Sequence, residues 1–189
     1  FPESLQKAMR SLEIGLNGLD EVKTNINNKK LNKKNIISEL KKPLADRLLL
    51  IAQALRLGIS VKDIYNASKV DKWFIEQIKR IVDKEIELKS KGLPKKPEEI
   101  LKIKALGFSD KKISQLCGLS EKRVFDLRKK NKIFPDFKRI DTCAAEFKSM
   151  TPYMYSTYSK NYLNGDTCES NPSSKKKVII LGSGPNRIG

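Results

Sequence analysis

Apolar residues recur along this chain at helical spacing. In residues 2–14, Leu5, Ala8, Met9 and Leu12 fall on one face, Pro2 suits a first helical turn, and Gly15 and Gly18 stop the run. Residues 20–35 are polar and rich in Asn and Lys, so they read as a loop or a frayed helix. Pro43 opens a second helix. In it Leu44, Leu48, Ile51 and Leu55 return every three or four residues, and Leu49, Leu50 and Ala52 widen the stripe beyond one face. A helix apolar on two sides must be covered on two sides. It is either central in a domain or half of a subunit contact. Leu44, Leu48, Ile51 and Leu55, with the aromatic pair Trp73 and Phe74, are therefore the candidate interface residues.

An internal repeat follows, at an offset of 49 residues. Leu57-Gly58-Ile59-Ser60 matches Leu106-Gly107-Phe108-Ser109. Downstream, Ile64 matches Ile113, Val70 matches Leu119, Ile75 matches Val124, and Ile78 matches Leu127. Each Gly suits a left-handed helix end, and each Ser suits the N-cap of the next helix, where its hydroxyl accepts a backbone N–H. Two copies of helix, Gly turn, Ser cap, short helix, turn and longer helix predict an all-α fold, a duplicated small helical bundle. Residues 91–97, with Gly92, Pro94 and Pro97, connect the copies.

After Asn131 the texture changes. Pro135 and Pro152 punctuate an irregular stretch, and residues 153–158 could be extended or wound against a neighbour. Residues 159–176 are polar and linker-like. Lys177-Val178-Ile179-Ile180-Leu181 reads as a buried parallel strand, followed by a glycine loop over 182–189. Arg187 stands where a dinucleotide fingerprint would need its third glycine, so the loop alone is a weak phosphate signal. The chain starts without Met and stops where a helix should begin, which fits a trimmed segment ending in a fragment of a further domain.

The chemistry of the side chains narrows the function. The chain has 189 residues, three cysteines in no CxxC pair and no histidine. That leaves no zinc pattern and no nucleophile–histidine arrangement. Reduced structural thiols are expected. No run is long enough to cross a bilayer, and Phe1-Pro2-Glu3-Ser4 opens no secretory leader. The net charge of +17 admits a second reading. Residues 109–130 imitate a helix-turn-helix, with Lys122, Arg123, Arg128 and Lys129 toward a groove. Against it, the matching helix of the first copy carries Glu76, Asp83, Glu85 and Glu87, which phosphates repel. The charge is Lys-rich and dispersed, as on a solvated surface. The basic nucleic-acid-binding module is thus the alternative, and neither nucleic acid nor a membrane is the expected partner.

Three segments are specific. Arg139-Ile-Asp-Thr-Cys-Ala-Ala-Glu-Phe147, Thr151-Pro-Tyr-Met-Tyr-Ser-Thr-Tyr158 and Leu181-Gly-Ser-Gly-Pro-Asn-Arg-Ile-Gly189 resemble, in order and spacing, the large subunit of carbamoyl-phosphate synthetase. Residues 4–15 resemble the end of that family's first synthetase half, and residues 71–78 its central helical region. The resemblance implies a parent ATP-dependent ligase that makes carbamoyl phosphate from bicarbonate, glutamine-derived ammonia and two ATP. It implies a division into 1–15, the terminal helix of the first half; 20–150, a helical connection or oligomerisation domain; 151–176, a linker; and 177–189, the first strand and loop of the second half. ATP and Mg²⁺ (or Mn²⁺) belong to the synthetase halves, so no catalytic, cofactor or metal residue is carried onto this chain. The implied partners are the two halves of the same chain, a glutaminase small subunit or domain, and further copies in a cytoplasmic homo-oligomer. The Asn/Lys-rich 23–35 stretch and a longer 159–168 segment depart from the family pattern.

Overall fold

The computed structural model describes residues 1–22, 25–26, 29–30, 32–159 and 168–179. Within them the chain forms helix α1 (Pro2–Ser11), paired strands β1 (Asn25–Ile26) and β2 (Lys29–Lys30), and helices α2 (Lys33–Leu40), α3 (Arg47–Arg56), α4 (Val61–Ser68), α5 (Lys72–Lys91), α6 (Pro97–Ala105), α7 (Asp110–Cys117) and α8 (Glu121–Lys130). Strands β3 (Asp136–Arg139) and β4 (Met154–Thr157) follow. Two compact units result: residues 1–136 with 157–160, which hold all eight of these helices, and residues 137–156 with 161–189.

The duplicated bundle expected from the repeat is present. Gly58 and Gly107 adopt φ of +72° and +92°, and the hydroxyls of Ser60 and Ser109 accept the backbone N–H of Asp63 and Lys112. The copies part at the next turn. The left-handed position is Gly118 in the second copy but Lys69, at φ 59°, in the first. Asp71 and Ser120 then cap α5 and α8. Apolar stripes from α2 to α5 and from α7 and α8 meet in one core that contains Ile36, Leu50, Ile64, Ile78, Ile81 and Ile113, all fully buried.

Two expectations need correction. Residues 20–35 hold neither a bare loop nor a frayed helix. Asn25 pairs with Lys30 and Ile26 with Lys29 in an antiparallel ladder, and α2 begins at Lys33 under an Asn32 cap. Pro43 does not open α3. It lies in a turn closed by Leu44 N–H to Lys42 O, and the helix starts at Arg47. The Arg47 guanidinium explains that start, since it donates to Leu40 O (3.3 Å) and Ser68 O (2.6 Å), the open carbonyl ends of α2 and α4. Helix α1 packs into the same helical unit. Gln6 Nε2 donates to Leu106 O (2.9 Å) and Arg10 to Gly107 O (2.7 Å). Glu3 accepts from Thr157 Oγ1 (2.7 Å) and Tyr158 N (3.0 Å), which lie in the same unit. Of the expected C-terminal strand, residues 177–179 are described, with Val178 and Ile179 exposed. The remainder of that strand and the glycine loop lie outside the described residues.

In the second unit, β3 and β4 form a two-stranded sheet. The loop between them is organised by Asp141, whose carboxylate accepts from Cys143 N (2.9 Å) and Ala145 N (2.8 Å). These bonds hold Ala144 and Ala145 at φ of 50° and 61°.

Candidate interface

The six residues expected at an interface divide into two groups. Ile51 is fully buried and Leu55 is 8% exposed, so both are core residues and reach no partner. They occupy the side of α3 that faces α2 and α5. Leu44, Leu48, Trp73 and Phe74 are 39%, 37%, 49% and 42% exposed and remain available. The apolar stripe of α3 is therefore mostly inward, and only its start reaches the surface.

Trp73 and Phe74 occupy the first turn of α5, where Asp71 Oδ1 accepts the Trp73 N–H at 2.8 Å. Helical spacing sends Ile75 and Ile78 into the core and these two outward. Phe1 joins them, because α1 packs on α5. Ring centroids lie 5.3 Å (Phe1–Trp73), 5.4 Å (Phe1–Phe74) and 5.0 Å (Trp73–Phe74) apart, in edge-on or tilted geometry. Two exposed aromatics on the capped helix α5 and Phe1 at the head of α1 make a preformed apolar patch. Close by in sequence, the Tyr65 ring lies beneath Lys69 (5.8 Å) and Lys72 (5.1 Å). Nothing local in the sequence links Phe1 to a residue 72 positions away.

Two charge clusters tie the helices of the bundle together. In the first, Glu85 of α5 is almost completely buried. It accepts from Arg56 Nε (2.8 Å) and lies 2.7 Å from Arg56 Nη2. Lys112 stands 3.3 Å from the other Glu85 oxygen, outside hydrogen-bonding geometry, and donates to Asp20 (2.8 Å). Arg56 also donates to Leu19 O. Two cations and two carboxylates thus tie α3, α5 and α7 to the 19–20 loop. In the second cluster, Lys104 donates to Asp110 Oδ1 and Phe108 O, both at 2.7 Å, and Arg128 grips Asp110 through Nε and Nη2 (3.1 and 3.0 Å to Oδ2). Burial pushes the Asp110 carboxyl up, but the two cations outweigh it and hold it below the ordinary aspartate value. Burial lowers the Lys104 ammonium, against the pull of Asp110.

The same contacts weaken the groove-binding reading. Of its four cations, Arg128 is fixed on Asp110 and Ile133 O, and Lys122 is bonded to Asp126 at 2.7 Å. Among the described residues, no three Cys, Asp or Glu side chains gather as a metal site. No described helix is long and apolar enough to cross a membrane. One further feature is an open cleft of about 610 Å³. Leu93, Pro94, Cys117, Leu119 and Leu127 provide its apolar walls. Burial raises the Cys117 thiol there.

Comparison with known proteins agrees with the helical architecture. Residues 1–132 match the model of the carbamoyl-phosphate synthetase large chain, oligomerisation domain. The carbamoyl phosphate synthase large chain of Rhizobium meliloti is 48% identical over 190 aligned residues, covering 100% of this chain and 16% of the relative. The large chain of Vibrio cholerae is 47% identical, covering 99% of this chain and 17% of the relative, and that of Pseudomonas aeruginosa is 44% identical over 100% and 17%. The chain thus spans about one-sixth of the length of the relatives it matches. A match over 1–132 takes in α1 together with both helical copies, and on that ground the chain belongs to the family of carbamoyl-phosphate synthetase large-chain oligomerisation domains.

Proposed function

We propose that this chain connects the two synthetase halves of a glutamine-dependent carbamoyl phosphate synthase large chain and provides a surface on which copies associate. The parent is an ATP-dependent ligase acting in the cytoplasm on bicarbonate, glutamine-derived ammonia and two ATP, with a glutaminase small subunit or domain as partner. ATP and Mg²⁺ (or Mn²⁺) bind in the flanking halves. Residues 151–176 link the helical domain to the second half, which begins at 177–189. The role of the helical bundle is mechanical: it sets a separation and presents a face.

The observation that carries this reading is the exposed Phe1–Trp73–Phe74 cluster where α1 packs on α5. Each ring is a little under half exposed, so covering it in an interface contributes roughly 1 kcal/mol per residue, about half of a full aromatic burial. Leu44 and Leu48, each more than a third exposed, are further candidates for such a surface. Sedimentation velocity over a range of concentrations tests the proposal, on this chain and on the parent large chain. Trp73→Glu should shift both toward smaller species while circular dichroism stays unchanged. Association unaffected by that substitution would remove the patch from the interface.

A further inference from the structure

The internal repeat exposes a difference between its copies. In the first, α1 and α3 pack on α5, and Ile78 and Ile81 are fully buried. Their counterparts in the second copy are Leu127, half-buried, and Lys130, exposed. Helix α8 has α7 as its main helical neighbour. Where the first copy has covering helices, the second has the open cleft of about 610 Å³. Its floor is apolar, and its rim carries Lys91, Lys95, Arg123 and Lys130 against the single carboxylate of Asp126. That carboxylate is already bonded to Lys122, and Lys91 is loosely paired with Glu87 at 3.6 Å. Among the described residues Lys95, Arg123 and Lys130 make no ion pair.

We infer that this cleft seats an amphipathic helix with an acidic flank, supplied by a polypeptide segment outside this chain. The apolar floor takes the helix's Leu-like face, as the α5 face takes its neighbours in the first copy. The unpaired cations select acidic over basic flanks and steer the encounter. Arg123 has a fork suited to a carboxylate, and Lys95 and Lys130 supply point charges beside it. The open shape favours a segment laid along the surface over an enclosed small molecule. The site shares no residue with the aromatic patch of α5, so it stands or falls independently of the self-association proposed above.

A capped amphipathic peptide of leucine and glutamate serves as the probe, and its twin with lysine in place of glutamate as the control. Titrated into the 189-residue chain, the acidic peptide should move the amide resonances of Leu93, Cys117, Leu119 and Leu127. It should also slow alkylation of Cys117, read by mass spectrometry, and bind more weakly as salt rises. Arg123→Glu combined with Lys130→Glu should weaken binding about tenfold or more. Both side chains are exposed and unpaired, so circular dichroism should show an intact fold. The Trp73→Glu variant should bind the peptide as the unmodified chain does. Equal binding of the lysine peptide, absence of resonance shifts at the cleft under excess acidic peptide, or full binding by the double variant would each overturn the assignment.

Discussion

Gly58 and Gly107 occupy equivalent places in the two copies, yet replacing them with alanine should have very different costs. Both have positive φ, so each alanine carries a left-handed penalty of about 1 kcal/mol. At Gly58 a new Cβ meets nothing within 4 Å, and the cost ends there. At Gly107 it would stand 2.8 Å from Glu3 Cα, 3.0 Å from Gln6 Cβ and 3.1 Å from Glu3 O. The first and third of these are backbone, so α1 must retreat. Its retreat breaks Gln6 to Leu106 O and Arg10 to Gly107 O, each worth about 1 kcal/mol, and leaves the end of α6 without those partners. Gly107→Ala should therefore cost about 3–4 kcal/mol against about 1 kcal/mol for Gly58→Ala. Urea unfolding followed by fluorescence measures this directly, because Trp73 is the only tryptophan and touches Phe1 of α1. Similar costs at the two positions would refute the reasoning, since the packing of α1 is all that distinguishes them.

Two further perturbations address the charge clusters. Glu85→Leu keeps bulk but removes the only carboxylate paired with Arg56 among the described residues and leaves Lys112 with Asp20 alone, and should destabilise by about 3 kcal/mol in the same urea assay. Adding Lys112→Met should recover part of the loss; no recovery would mean that the buried ammonium was not the source. The Asp110 carboxyl is held below its ordinary value near about 3.9, so its stabilising effect is complete above that pH. It is lost as pH falls through the lower folded-state value. Asp110→Asn should lower the melting temperature at neutral pH and flatten its decline below about pH 4, as read by thermal melts across pH.

The sequence carries those features that local chemistry decides. Ser60 and Ser109 announce their caps, and the two glycines their left-handed turns, because each requirement is met within a few residues. Helix α2 was hidden because Ile36, Ile37 and Leu40 are too few to show a period among lysines and asparagines, and tertiary burial rather than propensity holds it. The start of α3 was misplaced because Pro43 is a good helix opener in general. Here it yields to the bonds Arg47 makes across 7 and 21 residues. Of the interface residues, Ile51 and Leu55 were misjudged for a related reason. A stripe's period shows that it is buried, not what buries it, and the covering helices α2 and α5 lie outside the window in which the stripe is read.

Duplication explains the fold, and departure from it explains how the two copies differ. Helix α5 has 20 residues where its counterpart α8 has 10. The additional length carries Glu85 and Leu88 to α7, where Lys112 meets the Glu85 carboxylate and the Cys117 thiol meets Leu88 O at 3.9 Å. One helix of the first copy thereby becomes the spine of both. The second copy, clamped at its base by α1 on the Gly107 turn and by Lys104–Asp110–Arg128, has no long helix of its own to spend on covering α8. Most of the fully buried core lies in the first copy and at the seam, and the open apolar cleft lies in the second. If the two copies were energetically equivalent, matched core truncations such as Ile64→Ala and Ile113→Ala would cost the same. Helix α4, which carries Ile64, packs on α2, α3 and α5, whereas α7, which carries Ile113, packs on α5 and α8, so the loss at Ile64 should be the larger.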